Sequence, residues 1–96
     1  MSGQRRSQSL HPSEAHYLET LGARIRELRQ QRQLGLEELA DRAGLHRTHL
    51  WKIEKGQLNA GVISYVRLAR QLELSVGDLL PPFEGSYSGV APRIAQ

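Results

Sequence analysis

Ninety-six residues with no cysteine, one tryptophan and a formal net charge of +3 exclude much at the outset. The length suits one small domain with arms, burying roughly 60–65% of its unfolded surface. Without cysteine there is no disulfide, thiolate zinc site or thiol nucleophile, which fits a reducing cytoplasm, and no apolar run approaches the roughly 18 residues of a membrane span.

Residues 1–12 are polar, with Gly, Pro and scattered Ser, and read as a flexible arm. Arg5 and Arg6 have no apolar stretch behind them, so this is not a secretory signal. The domain is expected over 13–80. Ser13 is the expected N-cap of a first helix, with Glu14 in its first turn. Leu18, Leu21, Ile25 and Leu28 then recur at helical spacing on one face. Gly22 lies inside this run and is expected to weaken it by ~1 kcal/mol relative to Ala.

A short second helix is expected over Leu36–Ala43, with Leu36, Leu39, Ala40 and Ala43 inward and Gly44 as its stop. A third is expected over His46–Lys55, with Leu50 and Ile53 inward. The fourth, Val62–Leu72, is expected to bury Val62, Tyr65, Val66, Ala69 and Leu72. Ser75 caps a one-turn fifth helix that Pro81 and Pro82 stop. Residues 81–96 read as a tail. No strand alternation or internal repeat appears, so the fold class is all-α.

The charge is unevenly placed. Residues 1–35 hold six arginines against three glutamates, and the rest of the chain balances. Two short helices joined through Gly44 and Leu45 make a helix-turn-helix, spanning 36–55. Pinning Leu45, Leu50 and Ile53 to the core leaves Arg47, Thr48, His49, Trp51, Lys52 and Lys55 outside. A charge cluster alone is commonly a solvated helix face. On the second helix of this motif, however, these donors have the lengths needed to reach base edges and phosphates in a major groove.

Residues 21–80 resemble the Cro/CI-type (XRE-family) helix-turn-helix domain. The likeness rests on IRELR, EELADRAGL, IEKG and VRLARQLELSVGDLL in that order and spacing. The RTH run before IEKG and Asn59 is also similar to restriction-modification controller proteins. The resemblance implies a five-helix lambda-repressor-like domain with flexible arms. It implies a structural ion pair between Arg29 and Glu54. It places base reading on Arg47, Thr48 and Lys52, with His49 beside them. Phosphate contacts fall on Lys55 and Asn59. Trp51 replaces a small or polar residue of the family, with three placements open: against the sugar-phosphate wall, stacked on Arg47, or packed on a neighbouring side chain. Where the family carries a capping Ser and a phosphate-clamping Gln, this chain has Gly35 and Leu36. Leu36 cannot make that hydrogen bond, so bare helix amides are left to hold the phosphate. Ile63, Leu74, Val76, Leu79 and Phe83 are the candidate dimer interface.

The expected function is that of a homodimeric repressor of a palindromic double-stranded DNA operator, using no cofactor. Activation by touching RNA polymerase from a bound site is equally compatible with the sequence, as is a protein co-regulator. The competing expectation is a protein-interaction module, such as an antitoxin or adaptor, built on Trp51 and Leu36. His46 and His49 have metal-ligand spacing but no matched carboxylate or thiol, so no metal site is expected. Glu37, Glu38 and Asp41 read as a solvated face, and no phosphate loop or nucleophile elbow appears. An enzyme is not expected.

Overall fold

The computed structural model describes residues 9–85. The chain forms five helices: α1 (Pro12–Gln31), α2 (Leu36–Ala43), α3 (Arg47–Glu54), α4 (Val62–Gln71) and α5 (Val76–Leu79). No strand occurs among the described residues, and none of their helices is long and apolar enough to cross a membrane. Most of both expected arms, including Arg5, Arg6 and Arg93, lies outside the described residues.

Helix α1 begins two residues earlier than Ser13 as cap would allow, because His11 is the cap. Its Nδ1 accepts from the Ser13 amide at 3.1 Å, and Glu14 accepts from the His11 amide at 2.9 Å. Pro12 then sits at the first helical position, where a missing N–H costs nothing.

Helices α1, α2, α3 and α4 end by one device. Gln33, Gly44, Gly56 and Glu73 all take left-handed φ, between 58° and 72°. The next amide in each case reaches back to an earlier carbonyl: Leu34 to Arg29, Leu45 to Ala40, Gln57 to Lys52 and Leu74 to Ala69, all at 2.8–3.1 Å. Leu34, Leu45 and Leu74 then pack on the core, as this cap favours. Only two of the four positions are glycine, so sequence marked only half of these stops. Left-handed φ costs an ordinary residue ~1–2 kcal/mol. Gln33→Gly is therefore expected to raise stability by up to ~1 kcal/mol, read from the urea midpoint. An unchanged or lower midpoint counts against the strain.

The core gathers Leu21 and Ile25 of α1, Leu39, Ala40 and Ala43 of α2, and Leu50 and Ile53 of α3. Tyr65, Leu68, Ala69 and Leu72 come from α4 and its cap, and Leu79 from α5. Helix α4 is rotated relative to the expected phase. Val62 and Val66 are 64% and 39% exposed, while Leu68 is fully buried. The buried stripe 65, 68, 69, 72 meets α2 and α5, and the valines fall outside it. Burial pushes the Tyr65 hydroxyl above the ordinary phenol range, and it accepts from the Ala60 amide at 3.2 Å, pinning the loop before α4.

Leu79 is not an interface residue: it is fully buried under α1 and α4. Leu74 and Val76 are half-buried against the same core, while Ile63 and Phe83 remain exposed. Residues 81–85 lie back on α1. The Tyr17 hydroxyl donates to the Pro81 carbonyl at 2.7 Å, and the Phe83 ring tilts against Tyr17 at 5.8 Å.

Three arginines of α1 and its cap have partners within the chain. Arg24 donates to the Leu79 and Asp78 carbonyls at 2.9 and 2.8 Å, closing the end of α5. Arg32 pairs with Glu73 at 3.2 Å. Arg29 is the partner of Glu54. Arg24 and Arg29 are thus committed to structure, while the exposed Arg32–Glu73 pair is weak.

Candidate nucleic-acid interface

The surface is built on α3, and the fold holds that helix from three directions. Leu50 and Ile53 anchor it in the core. The turn from α2 runs through Gly44 at φ 71°, a conformation that Cβ-bearing residues disfavour. Beneath, α1 approaches so closely at Gly22 that a Cβ there would collide with the Ile53 and Glu54 carbonyl oxygens.

Glu54 is the charged residue of this inner face. Its carboxylate accepts from Arg29 Nε at 2.8 Å and from Nη2 at 3.1 Å, a bidentate fork. The third Arg29 nitrogen, Nη1, donates to the Leu34 carbonyl at 2.9 Å. One guanidinium thus ties α3 to α1 and also secures the turn that ends α1. The side chains are only 12% and 5% exposed, so water does not screen the pair.

Outward from this anchor stand Arg47, Thr48, Trp51, Lys52 and Lys55, all exposed. Trp51 lies four residues after Arg47 and three after Thr48, so it neighbours each of them on the helix surface. His49 departs from the expected set. It is half-buried, and its Nε2 is turned inside without a hydrogen-bond partner, so that atom is not offered to a base. His46 caps α3 by position but makes no side-chain cap bond. Lys55 ends the helix and lies 5.7 Å from the centre of the Trp51 ring. Asn59 is exposed in the loop before α4.

Helix α2 borders this surface. Gly35 is its N-cap, and Leu36 is half-buried on the core edge beside Arg47, Thr48 and Trp51. Glu37 lies 3.9 Å from Arg47, a contact missed in the sequence because the two residues lie on different helices. Both side chains are well exposed, so this pair is weak and leaves Arg47 free to swing outward. Glu38 turns away to Arg42 at 2.9 Å.

The helix-turn-helix domain family matches this chain over residues 20–81. The control protein C.SmaI of Serratia marcescens is 36% identical over 62 residues, which are 65% of this chain and 74% of the relative. The fold is similar to the restriction-modification controller protein C.AhdI of Aeromonas hydrophila, with a TM-score of 0.63 and 35% identity over 65% of this chain and 94% of that one. It is also similar to SinR, the master regulator for biofilm formation, solved in complex with DNA. That match has a TM-score of 0.60 and 32% identity over 64% of this chain and 98% of SinR. The ordered motifs, the five helices around one core and the exposed donors of α3 agree with these matches: the chain belongs to the Cro/CI-type (XRE-family) helix-turn-helix DNA-binding transcription regulators.

Proposed function

We propose that the chain is a sequence-specific regulator that reads double-stranded DNA with α3 and acts as a homodimeric repressor. The carrying observation is the array of Arg47, Thr48 and Lys52 on the outside of a helix whose inner side is locked by Arg29 and Glu54. A helix fits the major groove, and its first turn reaches deepest. Arg47 lies in that turn and suits the O6 and N7 of guanine. Thr48 offers a hydroxyl and a methyl group. Lys52, one turn on, reaches a guanine or the backbone. Lys55, Asn59 and the amides at Gly35 and Leu36 meet the phosphate walls.

One such helix reads only a few base pairs, so a second copy is needed for a selective site. Ile63 and Phe83 are 57% and 41% exposed, and Val62 and Val66 extend the apolar face of α4 beside Ile63. This face supports pairing of two copies on half-sites ~34 Å apart. Promoter occlusion by such a dimer is repression.

Selection from random double-stranded DNA, followed by a salt series on the recovered site, tests the reading. A palindrome with two half-sites is expected. Arg47→Ala should weaken binding by roughly ten-fold or more and relax one position per half-site. If affinity and preference survive that change, Arg47 is no base reader and the orientation on DNA is wrong.

A further inference from the structure

The outer surface of the helix-turn-helix is rich in donors, except at one place. Leu36 at the start of α2 and Trp51 on α3 face a common groove of about 260 Å³, completed by Arg47 and Thr48. The Leu36 side chain neither donates nor accepts a hydrogen bond and is half-buried on the core, so the wall it provides is fixed. Trp51 is 44% exposed, and the Lys55 ammonium near its ring helps hold it in place.

We infer that Leu36 and Trp51 are specificity-determining residues, and that their notch takes the C5-methyl group of a major-groove pyrimidine beside the guanine held by Arg47. This rests on α3 being the DNA-reading helix. Three features favour that occupant. Among the groups on a major-groove edge, the C5-methyl is the apolar one, and the rest are donors or acceptors. A phosphate would lose its hydration against the Leu36 side chain, which offers it no hydrogen bond. The notch is also too small for a protein side of ordinary interface size, which needs ~800 Å² per partner. It opens beside Arg47, so one arginine reads the guanine while the adjoining apolar wall reads the neighbouring methyl group. That group belongs to thymine or to 5-methylcytosine, and the notch presents the same surface to both.

The test uses the full chain and the site recovered by selection. Each thymine is replaced in turn by deoxyuridine, which removes only the methyl group. One position per half-site, next to the guanine lost with Arg47→Ala, should weaken binding about four-fold, matching ~0.8 kcal/mol for one buried carbon group. At that position 5-methylcytosine should bind about four-fold more tightly than cytosine, by the same burial. Leu36→Ser and Trp51→Ala, each checked for an intact thermal transition, should abolish both differences. Trp51 lies outside the core, so its variant remains informative if Leu36→Ser unfolds. Indifference to uracil at every position overturns the notch and leaves base reading by Arg47 standing. A methyl effect that persists in both folded variants overturns the assignment to these residues. Failure to recover any preferred site overturns the DNA reading and the notch together.

Discussion

Arg29→Ala and Glu54→Ala are each expected to destabilise the fold by ~3–5 kcal/mol, because either leaves one charge buried without its partner. For a domain this small, 1 kcal/mol moves the melting temperature by ~4–8 °C, so a loss of ~15 °C or more is expected if the variants fold at all. The size follows from geometry. Both side chains are nearly sealed from water, and the guanidinium uses all three nitrogens, two on Glu54 and one on the Leu34 carbonyl. The informative control is the double replacement Arg29→Met with Glu54→Leu. It removes both charges and should cost far less than the two single losses added together, since a buried pair exchanged for apolar volume is often near neutral. Thermal unfolding of all three variants settles the point. Single variants that melt within a few degrees of the parent would show the pair to be solvated and energetically minor.

Gly22→Ala should destabilise the protein, against the sign that helix propensity alone assigns. Alanine inside a helix gains ~1 kcal/mol over glycine. Here the added methyl group would strike the Ile53 and Glu54 carbonyl oxygens, which belong to the backbone of α3 and cannot rotate away. Overpacking of this kind costs ~1–3 kcal/mol and sometimes more, which exceeds the propensity gain. The relief available is to push α3 away from α1. That movement would stretch the Arg29–Glu54 fork and displace the outer face carrying Arg47 and Lys52, so DNA affinity should fall with stability. Urea unfolding gives the sign. The companion change Ala23→Gly, at an exposed position of the same helix, should lose ~1 kcal/mol by propensity alone. Both exchanges are thus expected to destabilise. Stabilisation by Gly22→Ala would mean that α1 and α3 are not in backbone contact.

Much of the architecture was legible because it rests on local rules. Leucine spacing, Gly44 and Ser75 place α2, α3 and α5 nearly where they lie. The Ser75 hydroxyl accepts from the Asp78 amide at 3.1 Å, as its position before the last helix implies. Periodicity was least reliable on α4. Val62, Val66 and Leu68 are all apolar, and hydrophobicity alone does not say which of them meets α2 and α5. The same limit explains Leu79: an apolar residue near the surface in sequence is read as interface until the packing of a one-turn helix buries it.

Composition and order alone determined the fold class, the helix-turn-helix and the outward donors Arg47, Thr48, Lys52 and Lys55, because periodicity and turn chemistry are encoded within a few residues. The tertiary structure alone decided what the charges and the glycine do. It tied Arg24 to the end of α5, paired Arg32 with Glu73 at the surface, turned His49 Nε2 inward, and brought Leu36 beside Trp51. It changed Gly22 from a weak point of α1 into the place where two backbones meet. Each of these depends on distance between residues far apart in the chain or on different helices, and that distance is set by packing of the whole core. The modest net charge of +3 is therefore a poor guide to the proposed DNA-reading surface: what matters is which cations the fold leaves exposed on α3.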